Sequence, residues 1–288
     1  MNRLLPTALC SLLAAGCGVA PEAQLDDGVR HSNASFSFDT SRLTPIPAGT
    51  IPAVRLPLAA YDRTAVQGAL IQTEEAFSPT ISVGGREEFD SNSFSYSTDR
   101  SRGMVLAVNK LPERAPIPQD ESLLQRNALT RLEGWGVGSG EIGEVWQRRL
   151  VGTAEDSGRV GATARVAYKT FVNRAILGVP VSGHRAVVTH GLDGSFRRVL
   201  GKWPALAASG HLLHTRLTTT DIINRATTAL TAAGYTDGVI RLSYKLMATE
   251  LTNGEAVLKL VVAARTSTAR ATGPDEPFEV DVDVDAIE

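Results

Sequence analysis

The chain has 288 residues, 43% hydrophobic and 21% charged, the balance of an ordinary globular protein with material for one large domain or two of usual size. A formal net charge of −2, with basic residues scattered apart from the pairs Arg148/Arg149 and Arg197/Arg198, leaves no electrostatic footprint for nucleic acid. The two cysteines, Cys10 and Cys17, both fall near the start, which leaves no thiol further on for a disulfide, a nucleophile or a metal site.

The first segment carries one positive charge, Arg3, an apolar run from Leu4 to Ala15, and small residues ahead of a cysteine: Leu13, Ala14, Ala15, Gly16, Cys17. This charged, apolar, small-residue layout is that of a secretory signal. With the cysteine at the cleavage point it resembles the lipobox of bacterial lipoproteins. That resemblance implies removal of a 1–16 signal peptide and a diacylglyceryl group on the Cys17 thiol, with Cys17 as the acylated N-terminus. Removal of 16 residues from 288 leaves 272. The alternatives are an ordinary secretory signal or a buried first helix. After this segment no stretch approaches the ~18 continuous apolar residues of a spanning helix.

From 17 to 57 the chain lacks apolar periodicity and is dotted with Pro21, Pro45, Pro47, Pro52 and Pro57, which predicts a partly extended tether. Residues 89–96 alternate imperfectly and are expected to be a strand, paired across the turn 98–103 with a second at 104–108. A helix is expected after the N-cap Asp120, carrying Leu124, Ala128 and Leu132 and stopped by Gly134. Thr218 and Asp221 predict a capping box for a second helix with Ile222, Ala226 and Leu230 on one face, stopped by Gly234. Each helix is followed by a Gly-aromatic pair and two strand-like runs, 141–150 and 162–171 in one half, 239–249 and 255–264 in the other. Asn253-Gly254 between the last two is a strong hairpin signal. This repeated order predicts an α+β fold of two tandem helix-on-antiparallel-sheet units, 58–208 and 209–288.

Residues 171–203 read as a strand, a Gly-Pro bend and a tight hairpin: Gly178, Val179, Pro180, Val181, Ser182, Gly183, His184, then Ala186-Val187-Val188, the turn Asp193-Gly194, and Phe196 to Gly201. This pattern resembles the propeptides of thermolysin-type metalloproteases and the related PepSY domains. Residues 218–286, a helix, two strands and a last alternating strand, resemble a PepSY unit as well. The resemblance implies a PepSY/cystatin-like fold and a role in holding a peptidase. The proteases themselves carry His-Glu-x-x-His on a helix after the propeptide. None of His31, His184, His190, His211 and His214 is followed by glutamate, so the expectation is the propeptide-like part without a protease.

Other candidates point elsewhere. Gly138-Ser139-Gly140-Glu141-Ile142-Gly143 matches G-x-G-x-x-G, yet a helix precedes it and a strand follows, the reverse of a dinucleotide loop. His211 and His214 could share a metal on a helix, but their flanks read as a linker. Asp281, Asp283 and Asp285 alternate on one strand face, with no EF-hand glycine or glutamate to follow. Trp135, Trp146 and Trp203 are too dispersed for a carbohydrate platform and read as packing residues.

The expected function is therefore non-catalytic binding of a protein partner, with a peptidase suspected and with inhibition or chaperoning implied by the resemblance. The contact surface would be an exposed sheet edge and the loop of Gly178, Val179, Pro180, Val181, Gly183 and His184. The other readings are an envelope assembly lipoprotein with a non-protease partner and an enzyme whose residues are dispersed in sequence. No cofactor, metal or nucleic acid is expected. The expected place is the bacterial cell envelope. Gly18, rather than aspartate, after Cys17 favours the outer membrane by resemblance to enterobacterial sorting.

Overall fold

The computed structural model describes residues 35–43, 45, 49–50, 52–55, 66–99, 102–156, 159–207, 217–250, 255–266 and 279–283. The signal peptide, Cys17, His31, His211, His214, the Asn253-Gly254 turn, Asp285 and the expected boundary at 208/209 lie outside these residues. The described residues form one compact unit.

Within the stretch read as a tether, Ser35–Arg42 (β1) and Ala53–Arg55 (β2) are strands of the sheet. A π-helical turn, Val66–Ile71, precedes four short strands: Ser78–Val83 (β3), Arg86–Asp90 (β4), Phe94–Asp99 (β5) and Met104–Asn109 (β6). The stretch 89–96, read as one strand, is thus the end of β4, a turn and the start of β5. The cause lies outside the local sequence. The Glu75 carboxylate accepts hydrogen bonds from the Ser91 hydroxyl and from the backbone N–H and hydroxyl of Ser93, which pins the turn. Phe89 then stacks on Tyr96 at 4.7 Å across the pair.

Helix α1 spans Glu121–Trp135, with Asp120 accepting from the N–H groups of Ser122 and Leu123. It buries Leu124, Ala128, Leu132 and Trp135. Gly134 does not stop it. The left-handed residue that ends it is Gly136, φ 107°, and Gly134 instead lets the helix pack closely on Ala69. Helix α2 spans Thr219–Ala232 with the Thr218/Asp221 capping box complete, and it buries Ile222, Ala226 and Leu230. At roughly 1.5–3 kcal/mol for each large apolar side chain, these stripes hold the helices to the sheet.

The remaining strands are Ile142–Asp156 (β7), Arg159–Ile176 (β8), Val179–His190 (β9), Phe196–Lys202 (β10), Leu206–Ala207 (β11), Asp237–Glu250 (β12), Glu255–Thr266 (β13) and Glu279–Asp283 (β14). Their order is β11-β2-β13-β12-β9-β10-β6-β5-β4-β3, with β1 parallel to β12, β14 on β13, and β7 joined through β8 to β9.

This overturns the expected fold class. The protein is mostly β, built on one large mixed sheet of 14 strands, and is not two helix-on-sheet units. The sheet is continuous because β9 has neighbours in both halves: β8 along one edge, and on the other β10 at its C-terminal half and β12 through the Val181–Leu246 pair. In addition, β2 pairs with both β11 and β13. Two groups of buried side chains result, one around α2 and β12–β13, the other around α1, β5, β6 and β8–β10.

Candidate functional site

Leu177 and Gly178 join β8 to β9 with φ of 50° and 77°, so both central residues of this two-residue turn are left-handed, the geometry that matches strand twist in a tight hairpin. Glycine adopts it freely, whereas leucine does so at a cost. The Leu177 side chain offsets that cost by packing on the apolar core around α2, against Gly49.

Beyond the turn, Val179 and Val181 are buried, while Pro180, Ser182 and Gly183 are exposed. Two successive exposed residues break the alternation of a strand. Gly183 has φ 72°, and β8 pairs Asn173 with Arg185 and then Ala175 with Pro180, so β9 carries extra residues here. This bulge bends β9 between its two neighbours, β12 at Val181 and β10 from Arg185 onward. His184 follows the bulge at 3% exposure. Its Nδ1 has no hydrogen-bond partner, and burial, then the charges of Arg174 and Lys202, push its pKa down to about 3.

A cleft of about 580 Å³ opens beside the turn. Gly178, Val179 and Pro180 line one side; Ile142, Gly143 and Glu144, at the start of β7, line another; Ser243, Tyr244 and Lys245 of β12 form the third. It exists because the ladder on β12 is interrupted: β1 pairs as far as Ser243, and β9 joins only at Leu246. It widens at a second bulge, where Gly143 and Glu144 of β7 face Asn173 alone between the pairs Ile142–Arg174 and Val145–Val172. A Cβ on Gly143 would stand 2.9 Å from that of Ala175, so no larger residue fits this close approach.

Charged groups set the walls. Arg174, 1% exposed, donates to the Glu141 carboxylate and to the Pro204 carbonyl at 2.6 Å, and its guanidinium lies 5.1 Å from the centre of the Trp203 ring. Trp203 Nε1 donates to the same Glu141 oxygen at 3.0 Å. On the β12 side Lys245 pairs with Glu279 and Asp281, and Arg265 with Glu279. Burial raises the Tyr244 phenol above its ordinary pKa.

From the cleft β7 runs on as an edge. Among the described residues it pairs only with β8 over its 15 residues. Two other edges are blunted: β3 carries Pro79, and β14 presents Glu279 and Asp281. Trp146 of β7 stacks on Phe171 at 5.0 Å and 3°, and Arg149 reaches Glu121 at the start of α1.

Of the residues singled out from sequence, Gly178, Val179 and Pro180 come together in the cleft. Val181 joins the two parts of the sheet, Gly183 sits in the bulge beside it, and His184 is internal. The glycine-rich segment 138–143 is a 3₁₀ turn, Ser139–Glu141, leading into β7. Its Glu141 anchors Arg174 and Trp203, a role that the glycine spacing conceals. Trp135 and Trp203 are buried, as packing residues are. Among the described residues no three His, Cys, Asp or Glu side chains gather as a metal site.

No protein-family model and no curated protein matches the chain. Solved structures do. An uncharacterized protein from Eubacterium rectale ATCC 33656 is similar at a TM-score of 0.50 and 11% identity, over 82% of each chain. The C-terminal domain of Bacillus megaterium YpeB is similar at a TM-score of 0.35 and 12% identity, over 80% of this chain and 95% of that one. At this identity the likeness to the Eubacterium rectale protein is one of fold.

Proposed function

We propose that the protein is a non-catalytic protein-binding module, lipid-anchored in the bacterial cell envelope, that takes an extended segment of its partner along β7. One observation carries this reading: the edge of β7, unpaired among the described residues, opens at its start into the cleft lined by Gly178, Val179 and Pro180. An unpaired edge offers backbone N–H and C=O groups to an added strand, and a cleft at its end accepts a side chain or a chain terminus. The anchor rests on Leu13 to Cys17, with Cys17 acylated. The 17 residues from Gly18 to Ala34 then span at most about 56 Å before β1 begins. The partner is a separate peptidase, held inhibited or chaperoned, a choice that rests on the resemblance of residues 171–203 to protease propeptides.

The test is affinity capture from native envelope extract, followed by mass spectrometry, using the wild type and Pro180→Trp, which fills the cleft from an exposed position. A peptidase recovered by the wild type and lost with Pro180→Trp supports the reading. A non-peptidase envelope protein behaving the same way transfers it to an assembly role. Recovery of no protein that depends on Pro180 contradicts both.

A further inference from the structure

A second concavity lies at the far end of β9. It holds about 280 Å³ and is lined by Asn127, Thr130 and Arg131 of α1, His190 and Phe196 of the β9–β10 hairpin, and Gln72, which follows the π-helical turn. Asn127, Thr130 and Arg131 stand at i, i+3 and i+4, so one helix face supplies an amide, a hydroxyl and a guanidinium together. Gln72 is held at φ 58°, a left-handed conformation that a non-glycine residue adopts only under constraint.

The charges in this pocket are unbalanced. Arg131 donates to the Leu70 carbonyl and lies 4.5 Å over the Phe196 ring. Among the described residues it makes no ion pair with a carboxylate, and no acidic side chain lines the pocket. Burial pushes its guanidinium down to about 10. Next to it His190, 2% exposed, has an Nδ1 without a hydrogen-bond partner. Burial, then the Arg131 charge, pushes that imidazole down to about 4, so it sits neutral beside the cation. A partly desolvated cation without a counter-charge, ringed by neutral donors, is a site prepared for an anion.

We propose that this pocket binds a carboxylate group on Arg131, with the Asn127 and Gln72 amides and the Thr130 hydroxyl as further donors. The planar guanidinium matches a planar carboxylate through two parallel N–H···O bonds. A single cation suits a monoanion. The helix N-terminus that would favour a phosphate dianion lies elsewhere, at Asp120. The volume admits an organic acid of a few carbons or the terminal residue of a peptide. The inference does not depend on strand addition at β7.

The experiment is calorimetric titration of the full-length protein with acetate, succinate, inorganic phosphate, and one hexapeptide as free acid and as C-terminal amide. The 15N shift of Arg131 Nε is followed in parallel. Saturable carboxylate binding that moves this signal is expected, at least tenfold weaker in Arg131→Gln. Because Arg131 also packs on Phe196, the deciding variant is Asn127→Asp. It places a carboxylate beside Arg131 from an exposed helix position and is expected to keep the wild-type melting temperature while losing binding at least tenfold. Preference for the free-acid peptide over both its amide and acetate assigns a peptide terminus; equal binding of acetate or succinate assigns a small acid. Phosphate binding tighter than every carboxylate, no saturable carboxylate binding, or unchanged affinity in Asn127→Asp overturns the proposal.

Discussion

His184 and His190 are held neutral inside a protein whose shifted carboxylates are all held charged. Their folded pKa values, about 3 and about 4, lie below the 6.5 of a free imidazole, chiefly through burial. As pH falls below 6.5 the unfolded chain takes up protons that the folded chain refuses, so stability contributed above 6.5 is lost on acidification. The carboxylates lowered in the fold, Asp39, Glu75, Asp120, Asp193, Asp221 and Glu279, add to the loss only nearer pH 4, where free carboxylates titrate. Between pH 7 and 5 the histidines dominate. Urea unfolding across that window should show a loss of about 2 kcal/mol for each histidine, and His184→Gln should remove roughly half of the slope. Glu141 is a second residue with a clear expectation. Its carboxylate faces the buried Arg174 and accepts from Trp203, so Glu141→Ala should cost about 2–3 kcal/mol by denaturant titration.

At the scale of elements, the helices stand on caps. Asp120 satisfies two N–H groups at the start of α1, and Asp120→Ala should lower the urea midpoint of unfolding. Both helices and their buried stripes were legible in the sequence because caps and four-residue apolar spacing are local signals. The hairpins of β12 with β13 and β9 with β10 were legible for the same reason. The end of α1 was misread, because Gly134 looks like a stop unless its packing on Ala69 is known. Strand β1 was read as tether, since its parallel pairing with β12 joins residues two hundred positions apart. The candidate site was legible only in part. Gly178, Val179 and Pro180 stood out as a bend, but nothing local says that Gly143 and Tyr244 meet them across a gap in the ladder. Arg131 and His190 gave no sequence signal as a pair, because α1 and β9 come together only in the fold.

At the scale of the whole molecule, one sheet replaces the two expected units, and β9 is the strand that fuses them. Local order within each half suggested a duplication, yet Val181 pairing with Leu246, and β2 with both β11 and β13, make the strands continuous. The continuity leaves β7 as a long edge, open among the described residues, that begins at a cleft. Attachment through Cys17 would present this edge to partners within reach of a membrane. Labelling cells with radioactive palmitate should mark the protein, and Cys17→Ser should abolish the label and leave the protein in the soluble fraction. The most direct test of binding along β7 is hydrogen exchange of the captured complex against the free protein. Protection is expected at 142–151 and at the 177–181 turn, without cleavage of the partner. Exchange unchanged along β7 in the complex, with protection elsewhere, would contradict strand addition at this edge.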